Sequence, residues 1–588
     1  MHAKNNPIRR QLHIFFLALL IATSCKDKPQ TEQLPEEITT VDSLAWYKNS
    51  VIYTLDVEVF QDSDGDGTGD IKGLTSRLGY IDSLGADAIW LAPFQPTPNR
   101  DDGYDVTDYY GIDKRLGTLA DFKVFMTEAK QRGLRVIMDL VVNHTSDEHP
   151  WFKQARADQH SPYRSWYVWS KALPENYQVG MVFPGVQTEI WSYDSVADEY
   201  YYHRFYDFQP DLNMQQEAVK KEVEKIIDYW LALGLDGFRL DAVPFFIEVP
   251  AKKGDKFEHQ YQLLADMHRH IVAKTPKAII LGEANVMPEE NKNYFGEHGE
   301  GMPMMFNFFV NQHLFYALAT GEVKPLKKAL EQTHDIPKGA QWGQFLRGHD
   351  EVDLGRLSKR ERQQVYDAFG PEKNMQLYDR GIRRRLAPML HNDRALLELA
   401  YSMLFALPST PVMRYGDEIG MGDDLSLKER LSVRTPMQWS PARHAGFSSG
   451  SKTVRPVITS GPFGYPAVNV LTEKADAHSL LRWTRQMVGL RKACPEIGYG
   501  TWRTASQSGD EVLVLHYSWR GHELTIIHNF SPEDREVKLS AEEAGADTLH
   551  DLLGGETVMP QNSHYILRLK GYGYTWLRGA HSAKPGVR

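Results

Sequence analysis

Three short stretches decide the fold: GFRLDA at residues 237–242, IILGEAN at 279–285 and FLRGHDE at 345–351. Each holds an apolar run long enough for one buried parallel strand, and each closes on an acid: Asp241, Glu283 and Asp350. In a (β/α)8 barrel the C-terminal ends of the strands are where active-site side chains gather. Acids are costly to bury there unless the site uses them. Two carboxylates can act as nucleophile and general acid on a glycosidic bond, and a third can stabilise a distorted sugar ring through its hydroxyls.

Working outward, strand-like runs at 51–55, 88–91, 134–140, 237–240, 278–281, 304–308, 344–346 and 411–414 alternate with amphipathic helical segments. Eight such runs with helices between them are what a (β/α)8 TIM barrel requires. The segment from Leu119 to Gln131 predicts a helix that opens at an N-capping Thr118 and closes at Gly133. The connection between His144 and Asp211 is too long for a bare loop; it is rich in aromatics and turn residues and shows little helical periodicity. It predicts an inserted lid domain after the third strand. Residues 480–491 read as the last barrel helix, and beyond Pro495 short alternating runs such as 512–517, 524–528 and 565–569 predict an antiparallel β-sandwich. The expected organisation is a leader over 1–25, a polar tether over 26–45, a barrel over 46–143 and 212–494, an inserted domain over 144–211 and a β-sandwich over 495–588.

At 588 residues the chain has room for a large barrel and attached modules. Its formal charge is −10, and without residues 1–24, which carry Lys4, Arg9 and Arg10 but no acid, it is −13. Such a surface disfavours nucleic-acid backbones as partners. Lys4, Arg9 and Arg10 precede an apolar stretch over 12–22, too short to span a bilayer, which leads through Thr23 and Ser24 to Cys25. That layout predicts export, and a small residue followed by Cys resembles a bacterial lipobox. Cys25 would then carry a lipid that anchors the mature chain to a membrane on the periplasmic side or the cell surface. The other cysteine, Cys494, reads as a small buried hydrophobe rather than half of a disulfide.

Around the three acids, DLVVNH ends in Asn143 and His144, Arg239 stands two residues before Asp241, and His349 adjoins Asp350. Residues two apart on a strand share a face, so Arg239 and Asp241 point into one site. A guanidinium beside a carboxylate keeps it ionised, as a nucleophile must be, whereas Glu283 needs a raised pKa to arrive protonated. Separately, DSDGDGTGD over 62–70 places carboxylates at positions 1, 3, 5 and 9 and the Thr68 carbonyl at position 7, the opening ligands of a calcium loop. Position 12 is Gly73, so the EF-hand reading fails; Asp62, Asp64, Asp66, Thr68 and Asp70 predict a free-standing calcium loop after the first strand.

These motifs resemble, in order and spacing, the four signature regions of the α-amylase family of glycoside hydrolases, and QPDLN at 209–213 resembles the fifth. The resemblance implies that Asp241 is the nucleophile, Glu283 the general acid/base and Asp350 the transition-state stabiliser. DDGYDVTDYY (101–110), YDRGIRRRLAPML (378–390), YGDEIGMGDD (415–424) and VRTPMQW (433–439) resemble the trehalose synthase branch, which converts maltose into trehalose. That implies a glucose pocket formed by Asp101, Tyr104, His144, Gln209, Arg239, His349 and Arg434, with Asn285 and Glu351 closing the acceptor side. It also implies a second calcium held by Asn143, Asp211, Glu248 and the carbonyls of Phe245 and Phe246. The chain departs from the family's pattern at Gly180, Val286, Met287 and Gly348, all toward the acceptor side or its lid. Three readings stay open: transglucosylation of maltose, hydrolysis of malto-oligosaccharides by an exported α-glucosidase or α-amylase, and a glucan-binding surface protein.

Overall fold

A computed structural model describes residues 45–249, 257–505 and 509–581. The eight apolar runs form eight parallel strands: β1 (Ile52–Leu55), β2 (Ala88–Leu91), β3 (Arg135–Leu140), β4 (Gly237–Leu240), β5 (Ile279–Gly282), β6 (Met304–Phe306), β7 (Gln341–Phe345) and β8 (Thr410–Arg414). They close into a barrel, each strand beside its sequence neighbours and β8 beside β1. Inward-facing Ile52, Trp90, Ile137, Leu281, Phe306, Phe345 and Val412 fill the interior, so it is a packed core rather than a channel.

Two strand boundaries differ from the sequence expectation by more than one residue. Phe308 opens the helix Phe308–Thr320 instead of ending β6, because the Asn307 side chain accepts from Val310 N–H and caps that helix. The seventh strand begins three residues earlier than expected, at Gln341, and ends at Phe345. The helix Leu119–Gln131 stands where its signals placed it; Thr118 and Asp121 form a reciprocal capping box. Its Phe122, Phe125, Met126 and Ala129 are buried, and each large side chain contributes about 1.5–3 kcal/mol of apolar burial.

Between β3 and β4 the chain builds a three-stranded antiparallel sheet, with Glu199–Tyr202 in the middle flanked by Trp169–Ser170 and Trp191–Asp194. It also contains a helix, Pro150–Ala157, that the sequence reading passed over. His149 caps it through its ring, and Pro150 at the first helical position needs no amide partner. After the helix Leu480–Lys492, a six-stranded and a two-stranded antiparallel sheet enclose a core that includes Val514, Ile527, Val537, Leu567 and Leu577. This β-sandwich docks on the helix Arg394–Ala406, where Ser402 Oγ accepts from Trp576 Nε1 at 3.0 Å and Tyr517 donates to the Ala406 carbonyl at 2.5 Å. Cys494 is buried, as expected. Cys25 and the whole leader and tether to residue 44 lie outside the described residues. Among the described residues no helix is long and apolar enough to cross a membrane.

Candidate active site

At the C-terminal mouth of the barrel is a cavity of about 750 Å3, lined by Asp241, Glu283 and Asp350 together with Asp101, Tyr104, His144, Arg239, Asn285, His349 and Glu351. Arg239 organises its floor. Strand register pairs Arg239 with Asp139 on β3 and with Leu281 on β5, so Arg239 and Asp139 face inward side by side. Arg239 Nη1 lies 2.5 Å from both Asp139 Oδ1 and Asp241 Oδ1, while Nη2 reaches Glu283 Oε2 at 2.8 Å. One guanidinium thus spans the two candidate catalytic carboxylates. Glu283 Oε2 also accepts from Ala242 N–H at 3.1 Å. Ala242 has a φ of 52°, a left-handed conformation that turns the chain directly after Asp241.

Burial pushes Asp241 up to about 6, against the pull of Arg239. Glu283 rises further, to about 7, through burial and the nearby charges of Asp241 and Asp350, again against Arg239. Arg239 therefore does not keep Asp241 at a low pKa as the sequence leads one to expect, because burial outweighs it; both acids sit above the usual carboxylate range, as a general acid such as Glu283 requires. Asp350 goes the other way. Burial opposes its ionisation, but His349, Arg430 and Arg434 hold it well below the usual carboxylate range. His349 Nε2 is 2.9 Å from Asp350 Oδ2, and Arg430 Nη1 and Arg434 Nη2 are 2.7 and 3.1 Å from Oδ1.

Tyr104 stacks on the His349 ring at 5.4 Å and forms one wall. His144 is on the wall with Nε2 3.1 Å from the Tyr104 carbonyl; burial lowers its pKa to about 4, so it is neutral. Two predicted pocket residues stand behind the lining instead of in it. Gln209 donates to Asp101 Oδ2 at 3.0 Å, and Arg434 donates to the His349 carbonyl at 2.9 Å and to Asp102 at 2.6 Å. Two residues that the sequence reading passed over bear on the candidate acids, Arg430 directly and Asp139 through Arg239. Arg430 lines the cavity and bridges Asp350 and Asp101, at 2.7 Å from each. Asp139 accepts from Trp90 Nε1 at 2.9 Å and from the Tyr104 hydroxyl at 3.2 Å, besides pairing with Arg239. An acid inside the apolar run of β3 was the signal for Asp139; nothing in the sequence separates Arg430 from Arg434.

On the acceptor side, Arg356 donates to the Asn285 carbonyl and to its Oδ1, and Glu351 pairs with Arg380 at 3.5 Å. Gly348 faces open space, since the nearest atom to a Cβ built there is 4.0 Å away. Gly180 is different. It has a φ of +84°, and an added Cβ would lie 2.5 Å from Arg204 Nη1. The space around Gly180 is filled by a guanidinium from another part of the same insert, which pairs with Glu248 at 3.1 Å.

The acidic loop gathers Asp62, Asp64 and Asp70, with one oxygen of each within 4.8 Å of the others. Asp66 accepts from Thr68 N–H at 2.6 Å and lies outside that trio. Asp70 also caps the helix Ile71–Leu84, consistent with a loop that runs straight into a barrel helix. Three converging carboxylates repel one another without a cation, so this donor set suits calcium. In the second implied site, Asn143 Oδ1 is buried without a hydrogen-bond partner, and burial pushes Asp211 well up and Glu248 up to about 7. A cation would relieve all three. Glu248, however, already meets Arg204 and accepts from the Tyr202 hydroxyl at 2.9 Å, and the Phe245 carbonyl accepts from Ile247 N–H.

The sequence matches the family model described as alpha amylase, catalytic domain, over residues 52–370 and 372–500, and a sucrose hydrolase-like C-terminal domain over 521–578. It is 38% identical over 548 residues to a trehalose synthase of Pimelobacter sp., covering 91% of this chain and 96% of that one. It is 37% identical over 563 residues to a trehalose synthase/amylase of Mycobacterium tuberculosis, covering 94% and 92%. Among solved structures, an α-amylase from H. orenii superposes with a TM-score of 0.73 at 26% identity, over 91% of this chain and all of that one. Barrel, acids and relatives agree: the chain belongs to the α-amylase family and is an α-glucoside-active enzyme.

Proposed function

We propose that this enzyme opens the α-1,4 bond of maltose and re-forms it as trehalose, through a covalent glucosyl ester on Asp241. The observation that carries the chemistry is the single guanidinium of Arg239 spanning Asp241 and Glu283, two acids of different pKa. Asp241 attacks the anomeric carbon as Glu283 protonates the departing glycosidic oxygen. Asp350, kept ionised by its cationic neighbours, holds hydroxyls of the distorted ring as positive charge develops. Tyr104 supplies a stacking face, and Asp101 and Arg430 complete the polar end of the glucose pocket. Glu283, now ionised, then takes the proton from the anomeric hydroxyl of the retained glucose, which attacks the ester. Water has to be kept out in that interval.

Trehalose as product is supported by the trehalose synthases among the relatives. Hydrolysis is the second reading, favoured by the open space beside Gly348 and by relatives named trehalose synthase/amylase and oligo-1,6-glucosidase. Calcium on Asp62, Asp64 and Asp70, and a second ion near Asn143 and Asp211, would fix loops and add no chemical step. The layout around Cys25 supports export and lipid anchoring, which fractionation of cells producing the full chain would test.

Purified protein lacking residues 1–25 should be incubated with maltose and the sugars resolved by chromatography. Trehalose is expected as the main product. Glucose alone would replace this reading with hydrolysis, and no turnover would leave a sugar-binding protein. Asp241→Asn should lose several powers of ten in turnover while still binding sugar.

A further inference from the structure

Past Gly282 the chain leaves β5 and carries Glu283 into the cavity. Glu283 is still tied to β4 and the turn after it: its N–H donates to the Leu240 carbonyl at 3.0 Å, and its own carbonyl accepts from Val243 N–H at 3.1 Å. Further on, Met287 N–H donates to Glu290 Oε2 at 3.0 Å and opens the next turn. Asn285 stands between these ties and is gripped from the loop after β7. Arg356 Nη2 donates to the Asn285 carbonyl, and Arg356 Nε donates to Asn285 Oδ1 at 3.3 Å. A guanidinium can only donate, so the oxygen end of the amide is turned to Arg356. The Nδ2 end is left for the cavity, which Asn285 lines.

Arg356 is itself seated by its surroundings. Its N–H donates at 2.7 Å to Oε1 of Gln312, a fully buried residue of the helix Phe308–Thr320. The turn before it is fixed by Asp353, whose Oδ1 accepts from Gly355 N–H at 2.6 Å and whose Oδ2 pairs with Arg380 Nε at 2.8 Å. Among the arginines that line the cavity, Arg239, Arg380 and Arg430 meet carboxylates, whereas Arg356 spends two donors on one asparagine. Only Ala284 separates that asparagine from Glu283, the acid that protonates the departing oxygen in the proposed mechanism. The amide therefore stands beside the departing sugar.

We propose that Arg356 is a positioning residue for the acceptor sugar: it fixes the Asn285 amide with Oδ1 turned away and Nδ2 toward the cavity, so that the site donates a hydrogen bond to an oxygen of the departing glucose. The same bond would hold that glucose for its second attack, a clause that rests on the transglucosylation reading above. The contact with the departing sugar does not rest on it. A polar group aimed at a sugar oxygen discriminates far more strongly than an apolar wall, because it is left unpaired by any acceptor that lacks the oxygen.

The test compares wild type with Arg356→Met, Asn285→Asp and the double variant on two donors, maltose and α-glucosyl fluoride. Fluoride departs without a sugar on the acceptor side, so kcat/KM for that donor reports formation of the ester alone. Arg356→Met frees the amide to turn, while Asn285→Asp keeps the pairing with Arg356 and removes the N–H donor. In each single variant the loss of kcat/KM on maltose should exceed the loss on glucosyl fluoride by about fivefold or more, the size expected of one hydrogen bond to the sugar. The double variant should lose no more than the worse single one, since both changes remove the same bond. The glucose share of products from maltose should rise several-fold in Arg356→Met. Equal losses on the two donors would make Arg356 a general support of the fold and overturn the proposal. Additive losses in the double variant would separate Arg356 from Asn285 and overturn it as well. If wild type makes glucose and no trehalose from maltose, the transglucosylation reading falls, and the comparison of donors still decides the role of Arg356.

Discussion

Burial, opposed by Arg239, sets the working pH. In the roles proposed for them, Asp241 has to be ionised to attack and Glu283 protonated to donate, so activity is expected to rise as pH climbs past the Asp241 value of about 6 and to fall as it passes the Glu283 value of about 7. The expected pH profile of kcat/KM is a narrow bell between those limbs. Asp139 sharpens the test, because its charge raises Asp241 although it never faces the sugar bond. Asp139→Asn should move the acid limb to lower pH and leave the Asp241 dependence otherwise intact; an unmoved limb would show that Asp139 acts through packing alone. Asp241, Glu283 and Asp350 were legible because each follows an apolar run and ends it. Asp139 was not, because it lies within such a run, where period-two reading records only that the strand is buried. Arg430 was missed for another reason: it and Arg434 both contact Asp350, and only the three-dimensional course of the 3-10 turn Glu429–Val433 puts Arg430 in the cavity.

Strand β4 carries Arg239 and presents Asp241 at its end, so its seat in the barrel governs the site. Gly237 opens that strand with a φ of +148°, and a Cβ there would stand 2.2 Å from the Ile279 carbonyl. That carbonyl belongs to β5, the strand that leads into Glu283. Gly237→Ala should therefore push β4 and β5 apart and misplace both acids. The expected result is a fall of several degrees in melting temperature with a loss of turnover much larger than the loss of folded protein; a fully active, equally stable variant would contradict the close approach. Elements with chemical punctuation were readable, as the capping box at Thr118 and Asp121 demonstrates. The helix Pro150–Ala157 was hidden by its shortness and by an uncommon histidine cap. Strand β7 began earlier than expected because Gln341, Trp342 and Gly343 are buried by neighbouring strands, a tertiary circumstance that composition does not reveal.

At the scale of the molecule, the acidic loop and the candidate catalytic residue Asp350 are joined by a run of contacts through the segment over 447–455. Asp62 accepts from Ser448 Oγ at 2.5 Å, Asp62 N–H donates to the Phe447 carbonyl at 3.0 Å, and Gly67 O accepts from Val454 N–H at 2.7 Å. Arg455, at the end of that segment, donates to the Arg434 carbonyl at 2.9 Å and pairs with Glu58 and Asp102. Asp102 in turn pairs with Arg434 at 2.6 Å, and Arg434 reaches Asp350 at 3.1 Å. If calcium holds Asp62, Asp64 and Asp70 together, its removal sets three carboxylates against one another and loosens the segment that seats Arg455. Chelation should then lower kcat more than it raises KM, because in the proposed mechanism Asp350, held by Arg434, serves the charge that develops in the transition state. It should also speed hydrogen exchange at Val454, and added calcium should reverse both effects. Arg455→Lys keeps the charge but loses the planar fork that serves Glu58, Asp102 and the Arg434 carbonyl at once, and it should reproduce the drop in kcat even with calcium bound. Exchange at Val454 that ignores chelation would disconnect the loop from the active site, and an Arg455→Lys enzyme with normal kcat would break the connection at its second link.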